Sequence, residues 1–217
     1  MRSNRNGLNS YVVTSLSDPA PRSTGPATET SSPYNAMSRK VIFLDRDGTL
    51  NVDDGFVHRI DDFRWLPGAL DAVKRLRDCG PAIAVVTNQS GIARGMYAAE
   101  DVEQLHEHMR RELIAHGTRV DAIAFCPHGP DDGCSCRKPR TGMTQQIEEQ
   151  LGETIDYPAS WTIGDKPSDI EFGQQLGTRT ALLRSRYWKP STLAVQPDHL
   201  ADTLLEAVQR VIQEFGD

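Results

Sequence analysis

An α/β fold with a doubly wound parallel sheet is predicted by the alternation of strand-like and helix-like segments from residue 39 onward. Short apolar runs rich in Val and Ile are separated by amphipathic stretches, and polar motifs follow several of these runs directly. At 217 residues the chain is long enough for one domain with a sizeable core. No segment between the predicted elements is long enough for a large cap domain, so we expect a capless fold.

Five strands are predicted, at residues 40–44, 82–87, 122–125, 160–163 and 179–183. Five helices are predicted, at residues 69–78, 100–116, 144–151, 168–175 and 200–215. Gly80 and Gly152 stand where the first and third helices should end. Sheets of this kind bind ligands at the carboxyl ends of their strands. The residues that directly follow each strand are therefore the first candidates for a functional site.

Composition and charge are those of an ordinary soluble protein, with 38% hydrophobic and 25% charged residues. A formal charge of −6 gives no reason to expect nucleic acid or an anionic membrane as a partner. No apolar run approaches the roughly 18 residues that a membrane span needs. Three clustered cysteines, Cys126, Cys134 and Cys136, indicate a metal site in a reducing compartment rather than a disulfide scaffold. We expect a cytoplasmic monomer that acts on a small molecule.

The first 37 residues differ in composition from the rest of the chain. They are rich in Ser, Thr, Pro, Asn and Arg and have no repeated apolar pattern, which predicts a disordered extension. No apolar core of a signal peptide follows the basic start. The extension could be inert or regulatory, or translation could begin at Met37. The functional domain is predicted to span residues 38–217.

The first polar motif, DRDGT at residues 45–49, follows the first predicted strand. Two carboxylates placed side by side, Asp45 and Asp47, suit phosphoryl transfer. One can attack phosphorus, while the other protonates the leaving oxygen and later activates water. A cation must offset the repulsion between these carboxylates and a phosphate. Taken alone, the motif equally indicates an Asp-Gly turn.

Three further polar motifs follow the predicted strands. TNQSG at residues 87–91 offers a hydroxyl, amides and backbone N–H groups that could hold a phosphate. Arg137 and Lys138 precede a proline and supply two cations. GDKPSD at residues 164–169 places Asp165 to complete a magnesium site, with Lys166 or Asp169 bonding beside it. Each motif alone is also explained by a polar loop, a solvated basic pair or a helix start.

Together and in this order, the four motifs resemble those of the haloacid dehalogenase superfamily, and the resemblance to its phosphatases extends over residues 39–190. The resemblance implies that Asp45 is the nucleophile and Asp47 the general acid and base. It implies that Thr87 and Lys138 bind the transferring phosphoryl group. Magnesium would be held by Asp45, Asp165 and the backbone carbonyl of Asp47.

A second metal site is predicted in the segment 126–136. Three thiols and one imidazole form two Cys-x-(His/Cys) pairs, a closed set typical of structural zinc, namely Cys126, His128, Cys134 and Cys136. The loop between the pairs is rich in Gly, Asp and Pro and offers little apolar surface to bury thiols. Because the loop leads directly into Arg137 and Lys138, zinc would order the loop and fix both cations.

Within the superfamily, this zinc loop resembles the D-glycero-D-manno-heptose 1,7-bisphosphate 7-phosphatases and the histidinol-phosphate phosphatases. The first group is favoured, because VDDGFVH at residues 52–58 looks like its substrate loop, and TNQSGIARG at residues 87–95 also matches. A neutral Ser90 with Arg94 and Arg137 suits a second phosphate, whereas the TNQDG of histidinol phosphatases would favour an ammonium group. The resemblance implies substrate contacts from Asp53, Asp54, Gly55, Phe56, Asn88, Gln89, Ser90, Arg137 and Lys166.

The predicted activity is magnesium-dependent removal of the C7 phosphate in nucleotide-activated heptose synthesis. Two alternatives from other classes are a polynucleotide 3′-phosphatase and a catalytically silent binding module. The complete set of Asp45, Asp47, Thr87, Lys138 and Asp165 argues against a silent module. The absence of a basic stripe with interleaved aromatic residues argues against nucleic acid. No role is predicted for Arg46.

Overall fold

The computed structural model describes residues 38–215, which form a six-stranded parallel sheet with helices on both faces. The predicted extension, residues 1–37, lies outside the described residues, so its disorder and the domain boundary stay predictions. The strands are β1 Val41–Leu44, β2 Ala82–Asn88, β3 Ala122–Cys126, β4 Trp161–Gly164, β5 Arg179–Leu183 and β6 His199–Ala201. The helices are α1 Ala69–Asp78, α2 Ala99–Ala115, α3 Met143–Leu151, α4 Pro167–Leu176 and α5 Leu204–Phe215. The predicted fold class is confirmed.

The order of the strands in the sheet is β3-β2-β1-β4-β5-β6, and every pair is parallel. The chain therefore builds one half of the sheet outward from β1, then returns and builds the other half from β4. The connections leave these two neighbouring strands in opposite directions, which opens a crevice at their carboxyl ends. This topology positions the candidate site.

The core lies on both faces of the sheet because the central strands are apolar on both sides. In β1, Ile42 and Leu44 pack with α1, α2 and α5, whereas Val41 and Phe43 pack with α3 and α4. The ring of Phe172 on α4 meets the ring of Phe43 edge-on, with centroids 5.8 Å apart. The helices thus cover both faces of β1, whose four residues are all apolar and buried.

The helix predicted over residues 200–215 was wrong at its start. Residues His199–Ala201 pair in parallel with β5 as a sixth strand, and α5 begins only at Leu204. The Asp198 carboxylate accepts hydrogen bonds from the backbone N–H and the hydroxyl of Thr180, which attaches the segment to the sheet. A strand of three residues is too short to show an alternating pattern. The sequence pattern therefore assigns residues 200 and 201 to the amphipathic helix that follows.

The walls at the carboxyl edge of the sheet are loops with two short 3-10 helices, Ile60–Asp62 and Pro190–Thr192, and the first turn of α4. Within residues 38–215 this agrees with the predicted capless fold. The loops are residues 45–68 after β1, 89–98 after β2, 127–142 after β3 and 184–198 after β5. None of the helices in this part of the chain is long and apolar enough to cross a membrane.

Replacing Phe172 with Ala should lower the free energy of unfolding by about 3–5 kcal/mol, because it leaves a cavity between α4 and the sheet. Urea denaturation checks this value. Ile114→Ala is the control, since that side chain is 66% exposed and its truncation should change stability by less than about 0.5 kcal/mol. Equal effects of the two substitutions would contradict this packing.

Candidate active site

Three buried carboxylates meet at the crevice between β1 and β4. Asp45 directly follows β1, Asp165 directly follows β4, and Asp169 lies in the first turn of α4. An oxygen atom from each lies within 4.8 Å of the others. Because β1 and β4 are paired in parallel, their ends bring Asp45 and Asp165 together as the motif order predicts.

Two lysines compensate this charge. The Lys138 ammonium lies 2.7 Å from Asp45 Oδ1 and 2.7 Å from Asp169 Oδ1. The Lys166 ammonium lies 3.3 Å from Asp165 Oδ1 and 3.0 Å from the backbone carbonyl oxygen of Asp47. Burial would raise the pKa of Asp45, but the two lysines outweigh it and hold that pKa below its usual value. Asp45 is therefore a carboxylate at neutral pH, as a nucleophile must be.

Asp165 is the carboxylate that this arrangement leaves incompletely satisfied. Burial and the neighbouring Asp45 carboxylate raise the pKa of Asp165 to about 8. Its Oδ2 atom is buried and has no hydrogen-bond partner within residues 38–215. A buried, unpaired carboxylate oxygen beside other oxygen donors suits a hard divalent cation. Asp45, Asp165 and the carbonyl of Asp47 could hold such an ion.

Gly48 allows this close approach of the loop after β1 to Asp165. Its φ is +91°, a left-handed conformation that glycine adopts without strain. A methyl group at Gly48 would overlap the carboxylate of Asp165. The glycine of the DRDGT motif is thus required both by the backbone and by its contact with the second aspartate.

The carboxylate of Asp47 faces the cavity and is bound by three side chains. Asn51 donates to Oδ1 at 2.9 Å, Gln89 donates to Oδ2 at 2.9 Å, and Arg46 donates to both oxygens. Gln89 also donates to the hydroxyl oxygen of Thr87 at 2.9 Å. One glutamine amide therefore connects the carboxylate after β1 with the hydroxyl at the end of β2.

Asn88 holds the backbone of Lys138. Its Oδ1 accepts from the backbone N–H of Lys138 at 3.0 Å, and its Nδ2 donates to the Lys138 carbonyl at 3.2 Å. The amide is therefore engaged within the protein, although sequence reasoning assigned Asn88 to the substrate. The ammonium of Lys138 also donates to the Val86 carbonyl at 2.6 Å, so both ends of this residue are fixed.

An open cavity of about 400 Å³ lies above these groups. Its lining includes most of the predicted site residues, namely Asp45, Asp47, Asp53, Gly55, Phe56, Thr87, Asn88, Gln89, Ser90, Arg137, Lys138 and Lys166. Asp54 is not among them, since its exposed carboxylate pairs with Arg64. Asp165 lies beneath the cavity rather than on its wall.

Sequence reasoning missed two aromatic residues of the cavity wall, Tyr97 and Tyr187. The Tyr97 hydroxyl donates to Gln89 Oε1 at 2.9 Å, and the Tyr187 hydroxyl donates to Asp53 Oδ2 at 2.7 Å. Tyr187 comes four residues after the end of β5, so its position at the carboxyl edge was a usable signal. Lys166 also donates to Asp53, which is thus held by the protein on two sides.

The four predicted zinc ligands converge in the loop after β3. Cys126 Sγ lies 3.7 Å from Cys134 Sγ and 3.6 Å from His128 Nδ1, and Cys136 Sγ lies 3.1 Å from Cys126 Sγ and 3.2 Å from His128 Nδ1. Zinc–ligand bonds of about 2.3 Å to sulfur and 2.0 Å to nitrogen imply tetrahedral edges of about 3.5–3.8 Å. The cluster is close to that size and could hold a tetrahedral metal.

This sheet presents paired aspartates, a threonine hydroxyl and a lysine at one edge, the groups on which the resemblance to haloacid dehalogenase-type phosphatases rests. The HAD-hydrolase-like family model matches residues 135–207. D-glycero-beta-D-manno-heptose-1,7-bisphosphate 7-phosphatase of Pseudomonas aeruginosa is 41% identical over 150 residues, covering 69% of this chain and 83% of the relative. The enzyme of the same name from Escherichia coli K12 is 40% identical over 180 residues, covering 80% and 92%.

A solved structure agrees with these relatives. The D,D-heptose 1,7-bisphosphate phosphatase of B. bronchiseptica, complexed with magnesium and phosphate, is 36% identical and superposes with a TM-score of 0.72. The match covers 81% of this chain and 99% of that one. The chain belongs to the D-glycero-D-manno-heptose 1,7-bisphosphate 7-phosphatase family of the haloacid dehalogenase superfamily. The predicted resemblance is confirmed, and the protein is a phosphoric monoester hydrolase.

Replacing Gly48 with Ala should lower phosphatase activity by about 10²-fold, because the added methyl group displaces Asp165 by a fraction of an ångström or more. Steady-state kinetics with a phosphate monoester checks this. Gly80→Ala is the matched control, since Gly80 has φ +95° and no atom near the added methyl group. It should cost about 1–2 kcal/mol of stability and leave kcat unchanged. Full activity in Gly48→Ala would contradict the close contact with Asp165.

Proposed function

We propose that this phosphatase removes the C7 phosphate of D-glycero-D-manno-heptose 1,7-bisphosphate, in nucleotide-activated heptose synthesis, through a phospho-aspartate on Asp45. The observation that carries the mechanism is the buried Asp45 carboxylate at the base of an open cavity, with Lys138 2.7 Å away and Asp165 beside it. The choice of substrate is supported by the names of relatives that are about 40% identical over most of their length.

The reaction has two steps in which the two aspartates of the first motif divide the chemistry. An oxygen of Asp45 attacks phosphorus, and the bond between phosphorus and the C7 oxygen breaks as Asp47 protonates that oxygen. Asp47, now a carboxylate, then takes a proton from a water molecule whose oxygen attacks the phosphorus of the acyl phosphate. The bond between phosphorus and Asp45 breaks, inorganic phosphate leaves, and both aspartates return to their initial states.

The transferring phosphoryl group meets Thr87 and Lys138. Because Gln89 already donates to the oxygen of Thr87, the hydroxyl hydrogen of Thr87 is available to a phosphoryl oxygen. The Lys138 ammonium contacts the attacking carboxylate and is fixed by the Val86 carbonyl, so its charge stays where charge accumulates. Fixed donors of this kind stabilise a transition state without reorganising.

Magnesium suits the oxygens beneath the cavity. Asp165 Oδ1 and the carbonyl of Asp47 both face the Lys166 ammonium, so they converge on a common point near Asp45. We propose that Asp45, Asp165 and this carbonyl hold Mg²⁺. When bound, magnesium supplies the positive charge that offsets repulsion between carboxylates and phosphate.

The second phosphate of the substrate is proposed to meet Arg137. This residue lines the cavity, and one of its guanidinium nitrogens donates to the His128 carbonyl at 3.3 Å, which orients the group. The sugar would lie between Phe56 and Tyr187, the aromatic walls of the cavity. Phe56 has φ +54°, an unusual backbone for a residue with a side chain, and is 41% exposed.

Structural zinc in the Cys126 cluster is proposed to order the loop that carries Arg137 and Lys138. Zinc holds such loops because they lack a core of their own. Thiolate ligands persist in a reducing compartment, so we propose that the enzyme works in the cytoplasm.

Asp45→Asn should reduce turnover of the heptose bisphosphate by about 10⁴-fold or more, because the amide cannot attack phosphorus. Phosphate release with magnesium is measured for heptose bisphosphate, fructose bisphosphate, histidinol phosphate and a 3′-phosphorylated oligonucleotide. Asp78→Asn, an exposed aspartate on α1, makes the same charge change and should behave as wild type. Retained activity in Asp45→Asn, with deamidation excluded by mass, would overturn the mechanism. A preference for histidinol phosphate would overturn the substrate.

Cys134→Ser should lose about one equivalent of zinc and lower kcat about 10-fold or more, since the part of the loop that precedes Arg137 and Lys138 is no longer ordered. Metal content by mass spectrometry and kcat are measured on the same preparation. Cys79→Ser is the matched control, because this cysteine is exposed and lies outside the cluster. Unchanged zinc content in Cys134→Ser would contradict the proposed ligand set.

A further inference from the structure

Arg46 is a charged residue that the fold buries completely. It lies between the two aspartates of the first motif and has 0% exposure, yet it does not line the cavity. A buried cation is costly unless its partners satisfy it. Arg46 has three partners. Its Nη2 donates to Asp47 Oδ2 at 2.9 Å and to the Val57 carbonyl at 2.5 Å, and its Nη1 lies 3.1 Å from His106 Nε2.

The contact with His106 directs the charge of Arg46 toward Asp47. A guanidinium has no acceptor, so the contacting nitrogen of His106 must be the unprotonated one, and the ring is neutral. Burial, with Arg46 and Arg110 nearby, lowers the pKa of His106 to about 3, in agreement with this assignment. Within residues 38–215, Asp47 is the carboxylate that pairs with Arg46.

We propose that Arg46 is a positioning residue that holds the Asp47 carboxylate in line with the leaving oxygen of the substrate. The proposal rests on the proposed function, in which Asp47 is the general acid. Asn51 and Gln89 also bind Asp47, but both are neutral amides. The guanidinium contacts both oxygens of Asp47, with Nη2 donating to Oδ1 and Oδ2 and Nε donating to Oδ1, and this planar contact fixes the plane of the carboxyl group.

Arg46 also ties Asp47 to the substrate loop. The Val57 carbonyl belongs to the segment that carries Asp53 and Phe56 along the cavity wall. His106 belongs to α2, which packs against the sheet through Leu105 and Met109. Through one side chain the general acid is thereby connected to two other parts of the fold, the substrate loop and α2.

The role predicts a dependence on the leaving group. An alkyl phosphate, such as a sugar phosphate, releases a strongly basic oxygen that needs the proton from Asp47. The p-nitrophenolate released from p-nitrophenyl phosphate is a stable anion and needs none. Loss of alignment therefore slows phosphoenzyme formation with the first substrate far more than with the second, and kcat/KM reports this step. General structural damage lowers kcat/KM for both substrates alike.

The test compares kcat/KM for heptose bisphosphate and p-nitrophenyl phosphate in Arg46→Lys and Arg46→Gln. We expect a loss of about 10- to 100-fold with the sugar phosphate and less than about threefold with the aryl phosphate. Arg77→Gln is the control, since it removes a part-buried arginine–carboxylate pair at the opposite edge of the sheet. It should leave the ratio of the two values unchanged. Equal losses in the Arg46 variants, or no loss, would overturn the proposal.

Two further comparisons keep the result decisive. Asp47→Asn should show the same selective loss, but larger. If it does not, the role of Asp47 in the proposed function is wrong, whereas a selective loss in Asp47→Asn alone refutes only the role of Arg46.

If the Arg46 variants fail to fold, His106→Leu and His106→Gln replace them. The leucine removes the acceptor for Arg46, so the ratio of kcat/KM for heptose bisphosphate to kcat/KM for p-nitrophenyl phosphate should fall about threefold or more. The glutamine keeps an acceptor and should preserve this ratio. The same ratio in both His106 variants would count against the proposal.

Discussion

The candidate active site, at the carboxyl edge of the sheet, depends on the pairing of three buried carboxylates with two lysine ammonium groups. Parallel pairing of β1 with β4 and the short step into α4 bring Asp45, Asp165 and Asp169 together. Like charges repel strongly in a poorly polarisable interior, so the cluster exists because Lys138 and Lys166 reach into it. When all three carboxylates are ionised they exceed the two lysines by one negative charge, and a divalent cation at the proposed site would offset it. The bound cation and the two lysines would then attract a phosphate.

The carboxylate cluster needs Lys138 in a fixed position, and other residues hold this lysine in place although it lies in a loop. Lys138 belongs to the loop after β3, which has no strand or helix to position it. Asn88 binds its backbone at the end of β2, and the Val86 carbonyl binds its ammonium. The cysteine and histidine cluster lies just before it in the chain and would order the remainder of the loop once metal is bound. Asn88, assigned to substrate binding on sequence grounds, therefore both lines the cavity and holds the backbone of Lys138.

The sequence predicts the fold, and the positions of the carboxylates at the strand ends, because both depend on local patterns. The strands β1 to β5 are short apolar runs, and Asp45, Thr87 and Asp165 stand at their ends. The strand β6 was missed because three residues carry no periodic signal. The burial of Arg46 and its contact with His106, 60 residues away, were invisible because spacing along the chain says nothing about pairing between a turn and a distant helix. The engagement of Asn88 with Lys138 depends on the same kind of long-range register.

The most direct measurement of the central claim is to trap the enzyme during turnover with acid and locate the phosphoryl group by peptide mass spectrometry. The account predicts one phosphoryl group on the peptide that contains Asp45, lost on treatment with hydroxylamine, as expected of an acyl phosphate. It also predicts none on that peptide in the Asp45→Asn variant. A phosphoryl group on another residue, or the same labelling after Asp45 is replaced, would contradict the claim that this buried carboxylate is the nucleophile.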